Sequence, residues 1–197
     1  MKVYGVSTLA KPPKSQFPNY AVLYADNQVY KFLNTVWEFD GKPFSKPWKK
    51  QKLYIENPRL PRPDFFTFGI GKFVCNERAR ELVAEPLEMC GEFLPVEIER
   101  EEGKYWLYHV THCLNVVDDK KSKWRYLGPG HSSRIIDRPA FIGERLGEES
   151  LFKIPEDNGG TIYCLERTGD PDDGEFKALV GQHHLIGLEF ELIWKGK

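Results

Sequence analysis

Apolar and polar residues alternate with a period of two through residues 1–10 and 20–33, which predicts strands. In the second stretch, Ala21–Tyr24 and Gln28–Leu33 flank Ala25-Asp26-Asn27, a hairpin turn in prospect. Residues 11–19 are proline-rich and read as a loop. From Trp37 to Pro63 prolines and basic residues mix with aromatics. Because proline restricts the backbone and removes donors, this stretch reads as mostly extended loop pinned by its aromatic rings.

The period changes after Phe73. Phe73-Val74-Cys75 is a short strand, and Asn76 is a good helix cap with Glu77 in the first turn. Ala79, Leu82 and Val83 form one apolar stripe at helical spacing, and Pro86 is expected to end or bend the helix by Glu85. Gly91 then opens a strand over Phe93–Glu99, and Tyr105–Val117 reads as the longest strand, closed by the polar turn Asp118–Ser122. Residues 123–150 look irregular. They contain a turn at Gly128-Pro129-Gly130, a short strand at Arg134-Ile135-Ile136 and a short helix from Asp137 to Leu146. Leu151–Ile154 is a strand stopped by Pro155.

The same wording then returns. Cys75-Asn76-Glu77-Arg78 is matched by Cys164-Leu165-Glu166-Arg167, and the stripe by Phe176, Leu179 and Val180 within a helix over Glu175–His184. The Gly-led strand is matched from Gly187, with Phe190 in place of Phe93. The expected fold is α+β, with a mostly antiparallel sheet and two βαβ-like units at about 73–98 and 161–193. One domain spans 1–197, with 1–61 a β-rich, loop-containing N-terminal extension and 62–197 the duplicated core.

Composition narrows the function classes. A hydrophobic fraction of 41% supports a real core, and 28 basic against 29 acidic residues argue against a dedicated nucleic-acid binder. No apolar run approaches the roughly 20 residues that span a bilayer, so no membrane partner is expected. The N-terminus lacks a hydrophobic signal region, which reads as a cytoplasmic protein. The four cysteines, Cys75, Cys90, Cys113 and Cys164, form no C-x-x-C pair and read as buried reduced thiols.

Candidate chemistry is sparse. His109 and His112 lie within the strand-like run Tyr105–Val117, where they would point to opposite faces, and His183-His184 are adjacent in a helical turn and would not converge on one ion. Gly69-Ile70-Gly71-Lys72 lacks Walker spacing and precedes a strand, so it reads as a tight turn. Glu77 and Glu81, with Arg78 and Arg80 between them, read as a solvated helix face. No catalytic residue, metal or cofactor is expected, and the chain reads as a non-enzyme. Two surface features remain. Residues 46–54 interleave basic side chains with Trp48 and Tyr54, as single-strand binders do, or as a basic loop pinned by its aromatics. The segment carrying Asp170, Asp172, Asp173 and Glu175 is bounded by glycines. It is expected to be exposed, either as a solvated turn or as a patch complementary to a basic partner.

Several segments, in order, resemble immunity protein family eleven of bacterial polymorphic toxin systems. They are Asp64-Phe65, Val74–Arg78, Phe93-Leu94-Pro95-Val96, Tyr105–Val117 running into Asp118–Ser122, Leu151–Ile154, and Ile186–Phe190. The resemblance covers roughly 62–197. Asn76 stands where the family pattern has Ser, the acidic segment is an insertion, and 1–61 lies outside the match. What the resemblance implies is a cytoplasmic protein, encoded beside a toxin, that binds and neutralises it and carries no catalytic residues. The alternative is a small nucleic-acid-processing or other enzyme using 46–54.

Overall fold

The computed structural model describes residues 1–8, 20–26, 43–44, 47–69, 71–126, 128 and 134–196. The expected strand at 28–33, the loop at 11–19 and most of the 128–130 turn lie outside the described residues. The described elements in chain order are β1 (Lys2–Thr8), β2 (Leu23–Tyr24), β3 (Gln51–Ile55), β4 (Phe65–Thr67), β5 (Phe73–Asn76), α1 (Glu77–Glu88), β6 (Gly91–Ile98) and β7 (Tyr105–Val110). There follow β8 (Lys123–Tyr126), β9 (Arg134–Arg138), β10 (Leu151–Phe152), β11 (Ile162–Glu166), α2 (Phe176–Gln182) and β12 (Leu188–Lys195). This is a sheet-dominated α+β fold.

Two sheets carry the architecture, in the orders β2-β3-β6-β7-β5-β4 and β10-β11-β1-β12, with β8-β9 a separate hairpin. Among these strands every pairing is antiparallel except β3 on β6. The repeat seen in the sequence is a repeat of topology. β4-β5-α1-β6 with β7 builds the strand order β4-β5-β7-β6, and β10-β11-α2-β12 with β1 builds β10-β11-β1-β12. Register agrees as well. Cys75 lies between Phe65 and Trp106, and Cys164 between Leu151 and Tyr4. Phe93 stands across from Tyr108, and Phe190 across from Val6. The second unit thus takes its middle strand from the N-terminal end of the chain, 164 positions from its register partner Glu166. Of the described residues before 62, β1 completes one sheet, and β2 and β3 extend the other.

Strand alternation gives each sheet two buried faces. One core joins inner-face residues Tyr4, Phe65, Phe73, Cys75, Tyr108, Ile162 and Cys164 with Ala79, Val83 and Leu87 of α1 and Phe176 and Val180 of α2. A second core lies on the outer face of the larger sheet, under Val74, Leu94, Val96 and Leu107, and is closed by Ala21, Leu23 and Leu53. A third lies behind the smaller sheet, where Val3, Tyr163 and Leu165 meet Val116, Ile136 and Phe141. The units touch at matching points: Leu151 N donates to Cys90 Sγ at 3.2 Å, and Phe65 N to Ile186 O at 3.0 Å.

Several boundaries differ from the sequence reading. Asn76 caps α1 as expected, its side chain accepting from Ala79 N at 2.8 Å, but the helix runs past Pro86 to Glu88. Pro86 lies in the last turns, where it forfeits one hydrogen bond while its ring is buried with Leu87. The long strand stops at Val110 because Thr111 and His112 turn to donate to Cys90 O. Asp137 lies inside β9 rather than capping a helix, and the expected helix is reduced to a 3-10 turn at Gly143–Arg145. β8, read as irregular, pairs with β9 through Lys123–Tyr126.

Candidate functional site

The acidic segment is a built turn. β11 ends at Glu166, and Gly169 and Gly174 take positive φ of 79° and 68°, where glycine is favoured. Asp170 caps the 3-10 turn Pro171–Asp173, accepting from Asp172 N at 3.0 Å, and Thr168 Oγ1 donates to Asp173 Oδ2 at 2.6 Å. Asp170, Asp172 and Asp173 are exposed. Glu175 is not, which corrects the expectation for that residue: it is 5% exposed. Its carboxylate accepts from Arg167 N at 2.8 Å, Thr168 N at 3.0 Å and Gly169 N at 2.9 Å. Those three amides leave the sheet without ladder partners, so an acceptor must be supplied there. The turn therefore presents three outward carboxylates on a frame fastened by the fourth.

Below it sits a second acidic group that the sequence did not single out. Glu166 is buried and accepts from Lys2 Nζ at 2.6 Å, Lys177 Nζ at 2.6 Å and Tyr4 Oη at 3.0 Å. Burial alone would raise its carboxyl, but the hydrogen bonds from Lys177, Lys2 and Tyr4 outweigh it and hold the pKa at about 2. A carboxyl depressed in the folded state stabilises above its unfolded pKa, and that stability fades as pH falls toward the folded value. From an ordinary 4.5 to about 2 this amounts to about 3 kcal/mol. Urea unfolding between about pH 6 and pH 2.5 should show this acid-side loss in the wild type. Glu166→Gln should be less stable at neutral pH and show a flatter profile. No local signal marks the cluster, because Lys2 and Glu166 are 164 positions apart.

The basic-aromatic segment belongs to the sheet in its described part. Leu53 is buried, and Gln51, Lys52 and Leu53 pair with Val96, Glu97 and Ile98. Trp48 donates its indole N–H to Pro95 O at 2.7 Å and meets Phe44 edge-on at 5.4 Å. Tyr54 is exposed and stacks on Tyr24 at 6.1 Å. Lys46 lies outside the described residues. Trp48 and Phe44 are thus used in packing, and the lysines at 49, 50 and 52 remain at the surface.

His109 lies on β7 opposite Glu92, while His112 is past the strand end, 3.3 Å from Glu149, so the opposite-face argument does not extend to it. Among the described residues no three or more His, Cys, Asp or Glu side chains are grouped to hold a metal ion. Cys75, Cys90 and Cys164 are buried as expected, and Cys113 is exposed. Burial pushes the Cys75 thiol up to about 12 and raises Cys164 further, so both are kept as neutral thiols. The helix face at 77–81 is not merely solvated. Arg78 pairs with buried Asp64, and the Arg80 guanidinium lies 4.6 Å from the centre of the Trp106 ring.

No protein-family model matches the chain, and no curated protein matches it. Among the described residues no helix is long and apolar enough to cross a membrane.

Proposed function

We propose that this chain is a non-enzymatic binding protein, an immunity protein that binds and neutralises a cognate bacterial toxin in the cytoplasm. One observation carries the reading. The segments that resemble the immunity family fall in order on β4, β5 with α1, β6, β7, β10 and β12, the frame of both units, and the acidic turn is an addition mounted on that frame. Inhibition would be by occlusion. A rigid scaffold presents Asp170, Asp172 and Asp173 to a basic surface, and their charge speeds and orients the encounter. The enzyme alternative built on 46–54 has less support, since Trp48 is engaged with Pro95 and Phe44.

The test is kinetic. Asp170→Asn, Asp172→Asn and Asp173→Asn, combined with Glu175 left intact, preserve the cap and the fold. They should slow association with the toxin about tenfold or more at low salt, with the gap closing as salt is added. Unchanged association at low ionic strength would remove the turn from the interface and direct attention to 47–54.

A further inference from the structure

The turn ending in Gly71-Lys72 before β5 folds against the turn at 159–161 before β11. Contact is so close that a Cβ on Gly71, whose φ is 65°, would lie 2.8 Å from Gly159 O and 2.9 Å from Gly160 O. Between these turns and the end of β1 is a recess of about 250 Å³, edged by Ser7, Thr8, Gly69, Lys72, Gly160 and Thr161. Its polar groups are the Ser7 and Thr8 hydroxyls, a lysine ammonium and glycine backbone, while Thr161 is engaged by Asp157 behind the lining; no described lining residue is acidic. A second lysine stands behind it: Lys153, 2% exposed, donates Nζ to Gly71 O at 3.0 Å. We propose that this recess is an oxyanion site that takes the phosphate or sulfate group of a small molecule, with Lys72 as its cation and Ser7 and Thr8 as hydroxyl donors.

The electrostatics agree with that geometry. Burial, then the neighbouring Lys153 charge, brings Lys72 down to about 7, and burial brings Lys153 down to about 7 against the pull of Asp157. Two lysines crowded at one glycine turn hold their protons weakly, and a dianion seated beside Lys72 would restore its charge. The volume suits a single tetrahedral anion with a few further atoms rather than a drug-sized ligand. The Gly-x-Gly-Lys turn thus differs from a nucleotide loop, which opens a helix; here the donors come from the end of one strand and the start of another. This inference is independent of the toxin reading.

Sulfate is the suitable probe, because it stays dianionic from about pH 6 to 8 and any pH dependence belongs to the protein. Titrations followed by NMR, at constant ionic strength set with chloride, should show saturable shifts at Thr8, Gly69, Lys72 and Thr161. If only protonated Lys72 binds, affinity at about pH 6 should exceed that at about pH 8 roughly tenfold. Among the described residues, the other titratable groups near this corner are Lys153, Asp157, Glu156, Cys113 and Glu189, the register partner of Ser7. Lys72→Gln should weaken binding at least about tenfold, whereas Lys72→Arg, always charged, should bind with a flat pH profile. Thr8→Val should weaken binding several-fold and leave the pH profile unchanged. Three results would each overturn the proposal: no saturable shift; equal affinity in wild type and Lys72→Gln, which is an adventitious ion only; or a wild-type pH profile retained by Lys72→Arg.

Discussion

Replacing Asp64 by Ala is expected to destabilise the protein by about 2–4 kcal/mol. Asp64 is 7% exposed and joins the two units. Its carboxylate takes Arg78 Nη1 on both oxygens at 3.0 Å, Asn76 Nδ2 at 3.1 Å and Ile186 N at 3.0 Å. The same Asn76 caps α1, and the same Arg78 donates to His183 O at 2.8 Å beyond the end of α2. Removing the carboxylate leaves Asn76 Nδ2 and Ile186 N without acceptors, while the Arg78 guanidinium, on a side chain 53% exposed, turns to water. Asp64→Asn keeps the shape and some acceptors and should cost less, about 2–3 kcal/mol. Urea unfolding of the three proteins measures the difference, and a loss below about 1 kcal/mol for Ala would show that Asp64 does not join the units as described.

Gly187→Ala should be comparably damaging, at about 3–5 kcal/mol. Gly187 has φ of 110°, and a Cβ there would lie 2.1 Å from Phe65 O and 2.9 Å from Pro63 Cβ. The obstacle is backbone, which cannot swing aside. Two control glycines separate the causes. Gly174, at φ 68° with nothing within 4 Å, should cost only the conformational penalty of about 1 kcal/mol on change to Ala. Gly181 lies within α2 with nothing within 4 Å, so Ala there should stabilise by about 0.5–1 kcal/mol. Thermal melts of the three variants should order as Gly181→Ala above wild type, then Gly174→Ala, then Gly187→Ala. Because Asp64 and Gly187 act at the same junction around Ile186, their effects should not add.

What could be read in the sequence was what neighbouring residues determine. The Asn76 cap, the stripes in α1 and α2, the strand β5 and the repeat of Cys-x-Glu-Arg all depend on contacts within a few positions. Long-range pairing left weaker traces. β1 reads as a strand, but nothing local says that it lies between β11 and β12. β3 sits in a proline-rich stretch, so its parallel pairing with β6 has no local signature, and its lysines suggest a free loop. Glu175 shows the same limit at the candidate site. In a run of carboxylates its composition predicts exposure, yet the turn needs one acceptor inside, and only the positions of the Arg167, Thr168 and Gly169 amides reveal which residue supplies it. The roles of Glu166 and Lys153 were missed, and Lys72 was read only as part of a tight turn, for a related reason: their partners come from distant elements, and burial rather than residue type sets their chemistry.

The most direct test of the proposed function is growth of a host expressing the product of the gene adjacent to this one, with and without this chain. Neutralisation predicts that the neighbouring product alone arrests growth, that this chain restores it, and that the two proteins purify as a stoichiometric complex. Harmless expression of the neighbour, or toxicity that this chain neither relieves nor binds, would contradict the immunity reading.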